Sequence, residues 1–175
     1  MAGRGIKWER VCNNSREFLS QEKRISWLRM HPPVVKCGPG IANKRGSFTA
    51  IWAGKGPPDW CALADGIAIL GDDKDSRSGP WGSWNVKKHQ AKAFDEHESQ
   101  GGISCVLLRM PDRTRWCIPW QMLKPYWEMR CRITVDELTE MGALPWIAHK
   151  PDQPRYDWLQ PLLKWREECL GSTVS

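Results

Sequence analysis

The stretch "PPDWCALADGIAILGDDKDS", Pro57 to Ser76, places five aspartates and one lysine around an apolar run, in a chain whose formal charge is +6. Within it "WCALA" and "IAIL" flank Asp65-Gly66, a dipeptide suited to the tight, positive-φ turn of a β-hairpin. The hairpin makes Asp59 the opening of one strand and puts Asp72 just after the end of the next. Carboxylates brought together at two neighbouring strand ends repel one another unless a cation lies between them. Hard divalent ions take oxygen ligands, and Mg²⁺ in particular takes one or two carboxylates, waters and phosphate oxygens. Asp72-Asp73-Lys74 adds an ammonium that can orient a water or meet developing negative charge. Read alone, "GDDKDS" is also an ordinary solvated charged loop. In the hairpin reading Asp65 does turn work and Asp75 faces solvent.

The surrounding segments fit one α/β domain spanning 1–175 with a mixed sheet. Trp8, Val11, Cys12, Ser15 and Leu19 recur at helical spacing, predicting an amphipathic helix from Lys7 to Glu22. "RISWLRM", Arg24 to Met30, reads as a strand. "VVKC" and "SFTAIW" flank "GPGIANKRG", so 34–56 reads as a two-stranded arm whose tip carries Lys44 and Arg45. After "SRSGPWGS" a helical pattern runs from Asn85 to Ser99 and stops at Gly101-Gly102. "ISCVLLRM" and "RWCIPW", separated by "PDRT", are the later strands. "TVDE", Thr134 to Glu137, is a capping box closed by Gly142, and Pro161 with Gly171 brackets a last helix. Residues 128–170 are thus expected to form a helical cover, and 171–175 a loose tail.

Composition narrows the function classes. Hydrophobic residues at 41% and charged residues at 26% exclude a disordered or fibrous chain. No apolar run is long enough to span a bilayer, and the start "MAGRGIKWERV" has no apolar signal region, so a cytoplasmic protein is expected. Seven cysteines form no CxxC pair, which argues against zinc and a secreted disulfide framework and leaves mostly buried thiols. Twenty-six Lys and Arg against 20 Asp and Glu favour a polyanionic partner, nucleic acid first. Twelve tryptophans suit either a core or base-stacking platforms.

Asp59, a spacer, then Asp72-Asp73-Lys74 resembles the signature of the restriction-endonuclease-like nucleases: Asp, spacer, Glu or Asp, any residue, Lys. "GRGIKWERV", "HPPVVKC", "PPDW", "DDKD" and "KKHQ" follow in the order seen in RecU-type Holliday junction resolvases, over residues 3 to 127, with a looser similarity to archaeal Hjc enzymes. The resemblance implies a restriction-endonuclease-like central mixed β-sheet flanked by helices, with a protruding β-arm, or stalk, that enters the open centre of a four-way junction.

It further implies a metal site of Glu9, Asp59 and Asp72, with Asp73 offering a backbone carbonyl or nothing. Lys74 would serve the water and Gln90 a phosphate or water. Asp72 stands where Glu is commoner in that signature. Mg²⁺, replaceable by Mn²⁺, is the expected cofactor, with no small-molecule cofactor and no membrane. The expected partners are branched DNA and a second copy of the chain, since a homodimer nicks two opposed strands. Such enzymes are carried by bacteria and by phages acting in the bacterial host cell. Candidate contacts to the DNA backbone are Arg4, Lys7, Lys36, Lys44, Arg45 and Lys55, with Lys87, Lys88 and Lys92 on the helix after the motif. Two other readings stay open: a restriction or repair nuclease of the same fold cutting duplex DNA, and a non-catalytic single-strand binder.

Overall fold

The computed structural model describes residues 5–31, 34–39, 48–52, 56–150 and 153–171. The Asp65-Gly66 hairpin forms as its sequence requires: β4 (Trp60–Ala64) and β5 (Ile67–Asp75) pair antiparallel from Ala64↔Ile67 to Trp60↔Gly71. Asp65 at φ 49° and Gly66 at φ 77° supply the two left-handed residues of such a turn. β5 does not stop before Asp72, contrary to the sequence reading. It continues to Asp75 because β7 (Ile103–Arg109) lies parallel to it, from Ile69↔Ile103 to Asp75↔Arg109. The parallel ladder gives every acidic residue of "DDKD" a backbone partner, which a solvated loop lacks.

β1 (Ser26–Arg29) flanks β4, and β8 (Arg115–Pro119) flanks β7. Among the described residues the central sheet has six strands, in the order β1-β4-β5-β7-β8-β10, where β10 is Leu144–Pro145. It is mixed: β5 and β7 are parallel, and the other pairings are antiparallel. β2 (Val34–Pro39) and β3 (Phe48–Trp52) pair with each other, as expected of the arm, and the tip with Lys44 and Arg45 lies outside the described residues. No helix among the described residues is long and apolar enough to cross a membrane.

Helices cover both faces of the sheet. On one face α1 (Gly5–Gln21) buries Trp8, Cys12 and Leu19 against Trp60, Ile69 and Leu107, joined by Leu159 and Leu162 of α5 (Leu159–Gly171). On the other, α2 (Lys88–Ser99) and α3 (Trp120–Glu128) bury Phe94, Trp120 and Leu123 against Leu70, Val106 and Ile118. α2 starts three residues later than the periodicity indicates. Ser83–Asn85 form a 3-10 turn, and Val86 and Lys87 are extended, so the backbone is non-helical until Lys88.

α3 is absent from the sequence reading because Pro125 lies inside it, where proline normally argues against a helix. α4 (Val135–Glu140) has the expected capping box: Thr134 Oγ1 accepts from Glu137 N–H, and Glu137 Oε2 accepts from Thr134 N–H at 2.6 Å. The segment 128–170 is not purely helical. It also carries β9 (Arg132–Ile133), β10, and the hairpin of β11 (Ile147–Lys150) with β12 (Gln153–Asp157).

The thiols divide evenly among the six described free cysteines: Cys12, Cys105 and Cys117 are buried, while Cys61, Cys131 and Cys169 are not. Close packing leaves no room for a side chain at Gly71. A Cβ there would stand 2.0 Å from Trp60 Cζ2, and the Trp60 ring is fully buried. Gly71→Ala should therefore cost about 1–3 kcal/mol by overpacking. Urea denaturation measures it, and a loss of only a few tenths of a kcal/mol would show that the ring yields.

Candidate active site

Alternation along β5 divides the acid cluster between the two faces of the sheet. Asp73 points to the α1 face with Ile69, and Asp72 and Lys74 point to the α2 face with Leu70. Asp73 is consumed there. Arg16 of α1 donates to it from Nη1 at 3.0 Å and Nη2 at 2.8 Å, and the Trp60 indole N–H donates at 2.9 Å. Both partners of that ion pair are almost fully buried, at 2% and 4% exposure, and the guanidinium lies 5.0 Å from the Trp27 ring and 4.9 Å from the Trp60 ring. Removing one member of such a pair leaves an uncompensated buried charge. The Asp73 carboxylate is thus a structural anchor.

Asp72 is completely buried. Gln90 of α2 donates from Nε2 to its Oδ1 at 2.8 Å, and the Lys74 ammonium forms an ion pair with its Oδ2. Oδ2 makes no hydrogen bond of acceptable geometry, so Lys74 meets it as a charge alone. The Gln90 Oε1 accepts from Lys87 N–H at 3.0 Å and from Lys74 Nζ at 3.5 Å. Gln90 thus ties Asp72 and Lys74 to the start of α2. Burial is the main cause that raises the Asp72 carboxyl to about 7; Lys74 opposes this and the nearby Asp59 adds to it.

Asp59 reaches the same place by register. One step beyond Trp60↔Gly71, the hairpin sets Asp59 opposite Asp72. β4 has ended there, and the Asp59 Oδ2 accepts the Asp73 N–H at 2.9 Å in place of a strand. Asp59 is exposed at this edge, while Asp72 is sealed behind it. Glu9 of α1 is instead paired with Arg29 of β1, two partly exposed side chains. Among the described residues no three His, Cys, Asp or Glu side chains gather closely enough to hold a metal ion.

The remaining pair still fits a hard cation. Asp59 and Asp72 stand at neighbouring register positions of one strand edge and interact electrostatically, one exposed and one buried with an oxygen that lacks a hydrogen bond. Asp59 and Asp72 would hold the ion, with waters completing its shell.

The other predicted residues fall as follows. Asp75 does not face solvent: Arg109 binds its carboxylate twice, at 2.9 and 2.8 Å, across the β5–β7 ladder. Lys87 and Lys88 are exposed at the start of α2, and Lys92 is exposed beside Glu96 at 3.5 Å. Arg4, Lys44, Arg45 and Lys55 lie outside the described residues, and Lys7 and Lys36 are described in backbone alone. Sequence reasoning missed Arg16 and Arg29. Arg16 carried a usable signal, since it stands four residues after Cys12 on the apolar stripe of α1, where a cation needs a buried partner. Seven of the twelve tryptophans, Trp8, Trp60, Trp81, Trp116, Trp120, Trp146 and Trp158, are core residues, so a surface tiled with stacking platforms is not what most of them build.

A family model described as Recombination protein U, RecU, matches residues 3–151. No curated protein matches the chain. Among solved structures, Archaeoglobus fulgidus Hjc, a Holliday junction resolvase from an archaeal hyperthermophile, is similar at 15% identity, covering 61% of this chain and 74% of that one, with a TM-score of 0.37.

The raised Asp72 carboxyl makes a stability prediction. A carboxyl lifted from its ordinary 3.8 to about 7 on folding binds its proton more tightly in the native state, so its contribution is favourable at low pH and is lost as pH climbs between those values. Asp72→Asn should match the parent near pH 4 and exceed it above pH 7, by an amount on the order of a few kcal/mol. Denaturation curves at the two pH values test this, and a variant less stable than the parent at pH 8 would contradict it.

Proposed function

Because the chain belongs to the RecU family of recombination proteins, and so to the Holliday junction resolvases, we propose that it nicks two opposed strands of a four-way junction by Mg²⁺-dependent phosphodiester hydrolysis. The observation that carries the proposal is Asp59 set opposite a buried Asp72 whose neighbours are Lys74 and Gln90. A divalent ion at that pair supplies a Lewis acid for the phosphodiester and a bound water of lowered pKa. The chain's own groups do the rest. The Asp73 N–H and the Gln90 amide orient the two carboxylates, and burial excludes water behind Asp72. Lys74 would hold the nucleophilic water or the charge of the transition state.

Two opposed cuts need two active sites, which a C2 homodimer supplies with matching symmetry. Glu9 would join the metal by exchanging its Arg29 partner for the ion; that pair is partly exposed, so parting it costs little. The arm formed by β2 and β3 would carry Lys44 and Arg45 into the junction centre. Such work belongs in the cytoplasm of a bacterial cell or a phage-infected one.

A labelled four-way junction incubated with Mg²⁺ should be nicked at symmetric positions, while its linear arms are cut poorly. Asp59→Asn and Asp72→Asn should each lower nicking by orders of magnitude and leave junction affinity equal or tighter, because a repelling charge has gone. Equal cutting of linear arms, or near-parent cutting by Asp72→Asn, would overturn the assignment. Alanine at both Lys44 and Arg45 should weaken junction binding more than duplex binding. Equal losses on the two substrates, read in the same gel-shift series, would reduce the arm to general electrostatics.

A further inference from the structure

Beyond the catalytic carboxylates the chain makes a second feature from residues that its nuclease motif does not include. β6 (Trp81–Gly82) pairs with β9 through Trp81↔Ile133 and Gly82↔Arg132, and Ser83 N–H donates to Cys131 C=O at 3.0 Å. This clasp sets the 3-10 turn that carries Trp84 beside Arg130 and Arg132. The Trp84 ring lies directly on Gly82: a Cβ there would stand 2.4 Å from its Cε2, so only glycine lets the ring settle. Trp84 is half-buried, and among the described residues its indole N–H makes no hydrogen bond.

Two open grooves meet at this ring. One, of about 540 Å³, runs from Asp75 past Arg77 to Trp84 and Arg132. The other, of about 440 Å³, runs from Trp84 past Lys87 and Lys88 to Arg130. Arg77, Lys87, Lys88, Arg130 and Arg132 are all exposed and make no ion pair among the described residues. Of the acids lining the grooves, Asp75 is already neutralised by Arg109, which leaves Glu128. Both grooves border the catalytic residues along the chain. The first begins one residue after Lys74, and the second includes Lys87, whose N–H is held by Gln90.

Cations that interleave with one available aromatic face suit a polyanion with an unstacked base. In an intact duplex each base already lies between neighbours, so a lone ring offers it nothing. At a branch point a base can leave the stack. Resting on the resolvase reading above, we propose that this double groove is the track of a DNA strand leaving the catalytic carboxylates, with one unstacked base lying on Trp84 and the flanking phosphates on Arg77 and Arg132 to one side and Lys87, Lys88 and Arg130 to the other.

The test is affinity without cleavage, read by fluorescence anisotropy in EDTA. Trp84→Ala should weaken junction binding on the order of tenfold, while linear duplex changes less than twofold; Trp84→Phe should stay close to the parent. On the parent protein, a scan of single abasic sites through the branch-adjacent positions should find one that costs a similar factor. That factor should vanish in Trp84→Ala, since the base and the ring act as one pair. The abasic scan needs no folded variant. Junction binding by Trp84→Ala within twofold of the parent, equal losses on junction and duplex, or indifference to every abasic site would each overturn the groove. Oligo-dT against its abasic counterpart separates the two readings: a parent with no junction preference whose dT affinity still falls in Trp84→Ala loses the resolvase assignment and keeps the groove, whereas a junction-selective parent with an insensitive Trp84 does the reverse.

Discussion

The parallel pairing of β5 with β7 is the constraint on which the rest depends. It turns an acidic run that water would readily solvate into the inner part of a strand, from Ile69↔Ile103 to Asp75↔Arg109. Once "DDKD" is strand, alternation leaves no freedom: Asp72 and Lys74 face α2, and Asp73 faces α1. Each acid then needs its own remedy. Asp73 takes the buried Arg16 and the Trp60 indole; Asp75 takes Arg109; Asp72 takes Gln90 and the charge of Lys74. Adjacent aspartates in the sequence thus do unrelated jobs, one tying α1 to the sheet and one holding Gln90 and Lys74 on the opposite face.

That arrangement explains why a chain of charge +6 gathers acid in one stretch. The excess positive charge draws in a polyanion over distance, and on the proposed reading Asp59 and Asp72 would keep a local seat for a cation within it. Asp72 is the unbalanced member. Its burial outweighs the help from Lys74, so its charge is poorly supported by the protein alone. A divalent ion shared with Asp59 would supply the missing support, and the same ion would be what the reaction uses.

Local features were legible in the sequence, and features decided at a distance were not. Asp65-Gly66, the Thr134-to-Glu137 box and the apolar stripe of α1 are set by residues within a few positions of one another, and each appears as read. The length of β5 was not legible, because its last residues are held by β7, about thirty positions away in the chain. Pro125 hid α3, whose start follows directly from the end of β8. At the site, the spacing of Asp59 and Asp72 was readable because hairpin register alone sets it. The ion pair that holds Glu9 was not, since Arg29 comes to it only through the pairing of β1 with β4.

The claim that the buried Asp72 charge is completed by a cation has a direct measurement. Mn²⁺ or Mg²⁺ is titrated into the protein at pH 6.5 by calorimetry in two buffers of different ionisation enthalpy, which counts the protons released. With its carboxyl raised to about 7, Asp72 is largely protonated at that pH and must give up the proton to bind the ion. The account predicts release of a substantial fraction of a proton by the parent, and both weaker binding and loss of that release in Asp72→Asn. Equal affinity and equal proton counts for parent and variant would contradict it.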